Sequence, residues 1–280
     1  MELLRARWAT GTAVCVGLDS EYEKIPKVVK DGLPIGDAIF AFNKELIQAV
    51  ADLVCAFKPN IAFYEEHGVQ GIEALQRTTK FIREFCPDVP IILDAKRADI
   101  GNTNRGYVGM AFDYLGVDAI TVHPYLGSEA LKPFLDRKDK GIIVLCRTSN
   151  PGAGEFQDME VFIGWGHGRI LVQPLYQMIA KRVATEWNTN GNCAVVAGAT
   201  FPHELQWIRK LVGDMPILIP GVGKQGGDVE AVVKNGADSQ GQGMIVNSSS
   251  AIIFASSGAD FAEAARRETE KLRDAINQYR

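Results

Sequence analysis

The sequence predicts an α/β fold, a (β/α)8 TIM barrel in which residues 1–280 form a single domain. Short apolar, β-branched segments recur eight times along the chain, and segments with helical spacing separate them. No Pro- or Ser-rich linker divides the chain. Alternating strands and helices build parallel sheets, and eight such units favour a closed barrel over an open sheet.

The predicted strands are continuous apolar runs, which is typical of strands buried on both faces. They are AVCVGLD from Ala13, VCAFKPN from Val54, VPIILDAK from Val89, AITVHPY from Ala119, GIIVLCRTS from Gly141, CAVVAGAT from Cys193, PILIPGVG from Pro216 and GMIVNSS from Gly243. The predicted helices include AFNKELIQAVADL, GIEALQRTTKFIREF, PLYQMIAKRVATEW, PHELQWIRKL and the C-terminal FAEAARRETEKLRDAINQY. Residues 150–168, rich in Gly and aromatics, exceed an ordinary barrel loop, and we expect them to form a mobile lid.

Charge and cysteine usage narrow the function class. The net charge is -4, and Lys and Arg are scattered, which argues against a nucleic-acid or membrane-surface partner. The five cysteines show no CxxC spacing, so we expect buried free thiols. No apolar stretch is long enough to cross a bilayer and no signal-peptide core precedes the first strand, so we expect a cytoplasmic protein.

Polar residues gather where the predicted strands end, and a barrel carries its active site at that end. These strand-end residues are Asp19, Lys58, Asn60, Asp94, Lys96, His123, Ser149, Thr200, Gln225 and Asn247. Nearly every strand contributes one of them.

The densest group is DAKRADIGNT, residues 94–103. Asp94 and Lys96 are two apart on a strand and are expected to point to the same side. Asp99 follows in the loop, and Lys58 adds a cation from the adjacent strand. Neighbouring opposite charges keep one another ionised, so an alternating charged array is predicted. A structural ion-pair network is the alternative.

A second group, PGVGKQGGD, follows the seventh predicted strand and precedes a helix. Glycines let the backbone approach an anion closely, and barrels commonly bind phosphate at this point. The alternative is a plain tight turn.

Together these segments closely resemble orotidine 5'-phosphate decarboxylases, in particular the longer bacterial (type 2) subgroup. The resemblance runs through VGLD, FKPNIAFYE, DAKRADIGNT, VHPYLG, CRTSNPG and PGVGKQGGD, and DAKRADIGNT is the most diagnostic of them. It implies decarboxylation of orotidine 5'-phosphate to UMP and CO2 in de novo pyrimidine biosynthesis. It also implies a homodimer that needs neither a metal nor an organic cofactor.

The resemblance also implies roles for single residues. Lys58, Asp94 and Lys96 of one subunit, with Asp99 of its neighbour, would form the charged network, and Lys96 would protonate C6 of the pyrimidine. Asp94 would sit beside the substrate carboxylate. Substrate binding would fall to Asp19 and Lys58 (ribose hydroxyls), Asn60 (ribose or the charged network), Thr103 (ribose, across the dimer), Ser149 (pyrimidine amide edge), Pro220, and Gly223 with Gln225 (phosphate).

One position departs from the family pattern. The last strand ends in NSSSAIIFAS, so Ser250 stands where the family has an Arg that pairs with the phosphate. A serine cannot supply that charged fork, and the loss costs roughly 1.5 to 3 kcal/mol, about ten- to a hundredfold. Lys224 is a candidate substitute cation, and a solvent-facing lysine is the alternative.

Two rival functions stay open on the sequence. One is a magnesium-dependent sugar-phosphate decarboxylase or aldolase of the same barrel superfamily, which shares the Asp-x-Lys-x-x-Asp arrangement. The other is a catalytically weak nucleotide-binding protein that keeps the pocket but has lost productive phosphate anchoring through Ser250. His123 is expected to be structural, and His67, His167 and His203 are too isolated in the sequence to form a metal-ligand set.

Overall fold

A computed structural model describes residues 1–166, 168–222 and 227–280 of the chain. Within these residues the strands are β1 (Val14–Gly17), β2 (Ala56–Lys58), β3 (Ile92–Arg97), β4 (Ala119–Val122), β5 (Gly141–Arg147), β6 (Glu160–Gly166), β7 (Arg169–Pro174), β8 (Cys193–Ala197), β9 (Ile217–Pro220) and β10 (Met244–Ser248).

Eight of these described strands form a parallel sheet in the order β2-β1-β10-β9-β8-β5-β4-β3. The two ends of that order, β2 and β3, meet through parallel bridges between Phe57 and Ile91 and between Asn60 and Asp94. The sheet is therefore a nearly closed barrel. The predicted (β/α)8 class is confirmed, and each of the eight predicted segments supplies one barrel strand.

Helices connect the strands and surround the barrel. They are α1 (Glu2–Ala9), α2 (Lys27–Lys30), α3 (Ile35–Val50), α4 (Ala62–Glu65), α5 (Gly68–Phe85), α6 (Gly101–Val108), α7 (Gly127–Leu135), α8 (Gly154–Gln157), α9 (Leu175–Arg182), α10 (Pro202–Val212), α11 (Val229–Gly236), α12 (Ser250–Ile253) and α13 (Phe261–Gln278). Shorter 3-10 turns span Tyr22–Lys24 and Pro151–Ala153, and π-helical segments span Gly109–Tyr114 and Val183–Trp187. Across the described residues, no helix is both long and apolar enough to span a bilayer.

Helix α3 shows why these segments fold as they do. Ala38, Phe42, Leu46 and Val50 recur every four residues, so they lie on one face, and each is fully buried. The Phe42 ring stacks on Phe254 at 5.5 Å between ring centroids. Burying a side chain of the size of Leu or Phe contributes about 1.5 to 3 kcal/mol, so such faces fix the helices against the barrel.

The segment expected to be a lid is more regular than the sequence predicted. After β5 the chain makes a 3-10 turn and α8, then forms the antiparallel hairpin β6–β7, which ends at Pro174. Phe162 pairs with Val172 and Trp165 with Ile170 across the hairpin. Cross-strand pairs of aromatic and β-branched residues stabilise such a ribbon, so residues 150–168 contain regular secondary structure that the sequence did not predict. His167 lies outside the described residues, and motion of this segment stays a prediction.

Candidate active site

A cavity of about 530 Å³ opens at the carboxyl ends of the barrel strands, where the sequence predicted the site. Seven predicted site residues line it: Asp19, Lys58, Asp94, Lys96, Ser149, Pro220 and Ser250. Gly223 and Gln225, together with Lys224, lie outside the described residues. Six different strands or strand ends thus contribute residues to one space.

Asp94 lies between two lysines at the centre of this wall. Its Oδ2 accepts a hydrogen bond from Lys58 Nζ at 2.9 Å, and its Oδ1 accepts one from Lys96 Nζ at 2.6 Å. Asp19 continues the row, with Oδ1 3.9 Å from Lys58 Nζ. Within one chain, charges therefore alternate along Asp19, Lys58, Asp94 and Lys96, whereas the predicted array with Asp99 stays a prediction.

Burial differs sharply along this row. The side chain of Lys58 is 3% exposed and that of Asp94 12%, whereas that of Lys96 is 49% exposed. Burial by itself lowers the pKa of Lys58, but the charges of Asp19 and Asp94 outweigh it and raise that pKa above its ordinary value. Burial likewise raises the pKa of Asp94, but the charges of Lys58 and Lys96 and their hydrogen bonds hold it well below its ordinary range. Asp94 and Lys58 are therefore both ionised at neutral pH.

Strand β3 is irregular where it carries these residues. Leu93 pairs with Ile120 and Arg97 with Val122, so β3 advances four residues while β4 advances two. Within the bulge Lys96 has a φ of +47°, and it is the one described non-glycine residue with positive φ. The side chains of Asp94 and Lys96 do meet, but not by the regular strand alternation that the sequence suggested. Strained backbone of this kind is concentrated at functional sites.

Two oxygens at the cavity lack protein donors. Within the described part of the chain, neither Asp19 Oδ1 nor Asn247 Oδ1 receives a hydrogen bond, although both atoms are buried. Leaving a buried acceptor unpaired costs about 1 to 3 kcal/mol. A ligand with hydroxyl or amide donors would relieve that cost, so this wall is suited to a polar ligand.

Ser149, Pro220 and Ser250 line the cavity beyond the charged row. Ser149 follows β5 and packs against Gly198 at the end of β8. Any side chain at position 198 would clash, because its Cβ would lie 2.9 Å from the Ser149 Cα. A glycine at 198 therefore lets the end of β5 approach β8. Pro220 ends β9 and Ser250 begins α12, so both lie on the side where the sequence predicts phosphate binding.

Asn60, Asp99 and Thr103 do not line the cavity of their own chain. Asn60 Oδ1 accepts from the backbone N–H of Ala62 at 3.2 Å. Asp99 Oδ1 accepts from the N–H of Ile100 at 2.6 Å, and Thr103 is exposed on the first turn of α6. The roles proposed for these three residues stay predictions.

Sequence reasoning missed several lining residues. Thr121, Leu145, Val196 and Leu218 reach the cavity from strands, and Gln157 reaches it from α8. The strand residues lie in runs where nearly every side chain is apolar, so alternation alone gave no signal. Gln157 had none either, because its segment was expected to be a mobile lid and no helix was predicted in it.

Two strand-end residues have structural roles. Arg147 is buried and forms an internal ion pair with Asp158 at 3.0 Å. His123 Nδ1 accepts from the Tyr125 N–H at 3.4 Å, and His123 is not among the residues that line the cavity. Within the described ranges, no group of three or more His, Cys, Asp or Glu side chains is arranged to hold a metal ion.

Comparison with known proteins identifies the family. A family model described as Orotidine 5'-phosphate decarboxylase / HUMPS family matches residues 12–267. The orotidine 5'-phosphate decarboxylase of Janthinobacterium sp. is 48% identical over 280 residues, covering 100% of this chain and 98% of that protein. The protein of the same name from Ralstonia nicotianae is 46% identical over the same lengths.

Solved structures agree with these relatives. Leishmania donovani OMP decarboxylase has a TM-score of 0.80 at 33% identity and covers 99% of this chain and 98% of its own. Leishmania donovani UMP synthase has a TM-score of 0.82 at 35% identity, and this chain spans 55% of its length. The chain belongs to the orotidine 5'-phosphate decarboxylase / HUMPS family.

Proposed function

We propose that the cavity at the barrel mouth is where orotidine 5'-phosphate is decarboxylated, with Lys96 as the proton donor to C6. Membership of the family supports the assignment of the reaction, the conversion of orotidine 5'-phosphate to UMP and CO2 in pyrimidine biosynthesis. The observation that carries the site is Asp94 held between Lys58 and Lys96 at hydrogen-bond distance on the cavity wall.

The chemistry follows from what each charged group can do. When the C6–carboxyl bond breaks, its electron pair stays on C6, and the Lys96 ammonium gives that carbon a proton. Before that transfer the cation stabilises the developing carbanion, and Asp94 beside the substrate carboxylate disfavours the charged ground state. The half-exposed Lys96 can reach a ligand, whereas the buried Lys58 is held in place.

The remaining cavity residues suit the rest of the nucleotide. Asp19 and Lys58 would bind ribose hydroxyls, and the unpaired Asp19 Oδ1 supports this role. Ser149 would hydrogen-bond the pyrimidine amide edge, and Pro220 would contact the ligand from the end of β9. Asn60, whose backbone forms a parallel β-bridge with that of Asp94, would help to hold the ribose side or the charged network.

The phosphate would lie between Ser250 and the segment that contains Gly223 and Gln225. Ser250 lines the cavity but cannot supply the charged fork of an arginine, so phosphate binding is proposed to be weaker than in relatives that have Arg there. Lys224 remains the candidate for a substitute cation.

We propose a homodimer in which Asp99 and Thr103 complete the neighbour's site. Support comes from their place outside their own cavity and from exposed apolar side chains on the same loop and on the next one. Ile100 is 61% exposed, and on the following barrel loop Tyr125 is 86% exposed. Exposed apolar side chains of this size favour a contact with another protein surface.

Three broader assignments accompany this proposal. Residues 1–280 would act as one domain, and the chain would belong to the longer bacterial (type 2) subgroup, which full-length matches to bacterial relatives support. A cytoplasmic location is proposed because all five cysteines are buried and unpaired, as expected in a reducing compartment.

The test is an ultraviolet assay of the conversion of orotidine 5'-phosphate to UMP by the purified protein, with and without EDTA. We expect turnover that EDTA leaves unchanged. No conversion of orotidine 5'-phosphate, together with magnesium-dependent turnover of a sugar phosphate, would favour the metal-dependent rival of the same superfamily. Binding of UMP without any turnover would favour the rival that only binds nucleotides.

A further inference from the structure

Thr121, on β4, contacts both members of the charged pair on β3. Its Oγ1 accepts hydrogen bonds from the backbone N–H of Ala95 at 3.0 Å and from that of Lys96 at 2.9 Å. The same hydroxyl donates to Asp94 Oδ1 at 2.9 Å. Thr121 is 1% exposed, so water does not compete for these bonds.

The direction of the bond to Asp94 is fixed by the other two. A threonine hydroxyl has one proton and two lone pairs. Because Ala95 and Lys96 both donate to the oxygen, both lone pairs are used and the proton is directed to the Asp94 carboxylate. Asp94 Oδ1 therefore accepts from Thr121 and from Lys96 Nζ at the same time.

The bulge in β3 explains why the backbone needs this hydroxyl. Between the pairs Leu93–Ile120 and Arg97–Val122 the regular ladder is interrupted, and the two N–H groups of the bulge meet the Thr121 side chain. These bonds hold Lys96 at its positive φ, a conformation that a lysine rarely adopts without surrounding support.

We infer that Thr121 is a positioning residue for the decarboxylation, which fixes the Asp94 carboxylate and the Lys96 backbone relative to the substrate. This inference rests on the proposed roles of Asp94 and Lys96. Without the hydroxyl, the carboxylate is free to rotate and the bulge loses two hydrogen bonds. Both changes move the ammonium away from its place opposite C6, which lowers the rate of the chemical step more than it lowers binding.

The experiment compares Thr121→Val, which keeps the shape and removes the hydroxyl, with Thr121→Ser, which keeps the hydroxyl. We expect Thr121→Val to lower kcat about ten- to a hundredfold with KM changed less than about threefold. Thr121→Ser is expected to keep kcat within about threefold of wild type. Thr269→Val is the matched control, since that buried threonine donates only to the Ala265 carbonyl in α13, at 2.7 Å, away from the cavity.

A folded Thr121→Val protein with the kcat of wild type would overturn the inference, and so would an equal loss in Thr121→Ser. If the valine variant does not fold, Thr121→Ala is measured in its place against the same criteria. Failure of the proposed function looks different, because wild type itself would then not convert orotidine 5'-phosphate, or Lys96→Ala would be as active as wild type.

Discussion

Replacing Asp94 with asparagine removes the charge that holds Lys58 inside the protein. Lys58 is 3% exposed, its hydrogen bond to Asp94 is 2.9 Å long, and its next carboxylate, on Asp19, is 3.9 Å away. Removing one partner of a buried ion pair costs about 3 to 5 kcal/mol. Because Asp19 remains and the amide can still accept a hydrogen bond, we expect a loss near the lower end, about 3 kcal/mol.

The assay is denaturant unfolding at pH 7 without ligand, followed by circular dichroism. Asp136→Asn is the matched control, because Asp136 forms an ion pair with Lys132 at 2.7 Å but is 59% exposed. An exposed pair contributes at most about 1 kcal/mol, so this control should unfold much like wild type. If Asp94→Asn lost no more free energy of unfolding than Asp136→Asn, Lys58 would not be held by this charge and the electrostatic reasoning would be refuted.

Three further predictions concern pH, the dimer and the phosphate. Because the folded pKa of Asp94 is lowered and that of Lys58 is raised, the free energy that their pairing contributes should be constant between about pH 5 and 9. It should decline as the pH falls below about 4 toward the folded pKa of Asp94, and as the pH rises above about 10.4 toward that of Lys58. The check is the difference in free energy of unfolding between wild type and Asp94→Asn across pH. A difference that vanished near neutral pH would contradict the prediction. The Lys96→Ala and Asp99→Ala variants should each be nearly inactive, but mixing the two under conditions of subunit exchange should restore activity. One of the two sites in a mixed dimer then contains both Lys96 and Asp99. No recovery would mean that Asp99 does not act across subunits. Ser250→Arg should raise kcat/KM about ten- to a hundredfold. An unchanged kcat/KM would show that the absence of an arginine at position 250 does not weaken phosphate binding.

The barrel and the centre of its site could be predicted because both depend on local patterns. Strands buried on both faces are continuous apolar runs, and polar residues just after them reach one end of a parallel barrel. These two patterns place Asp19, Lys58, Asp94 and Lys96 at the same end of the barrel, and all four line the cavity.

The remaining features depend on contacts distant in sequence. The bulge at Lys96 contains no glycine and is supported by Thr121 from the next strand, so nothing within DAKRADIGNT indicates it. Hairpin β6–β7 was missed because glycines and a bulge interrupt its alternation of apolar residues, and a mobile lid explained the Gly and aromatic content equally well. The roles proposed for Asp99 and Thr103 would require a second chain, whose position a single sequence does not give.

The most direct test of the central claim is the kcat of Lys96→Ala for orotidine 5'-phosphate beside that of Lys132→Ala. The two lysines hold carboxylates at similar distances, 2.6 Å for Lys96 and 2.7 Å for Lys132, but Lys132 lies on the surface. Loss of a proton donor predicts that kcat falls about 10²- to 10⁴-fold in Lys96→Ala and does not change in Lys132→Ala. Wild-type turnover by a folded Lys96→Ala protein would contradict the assignment of Lys96 as the proton donor.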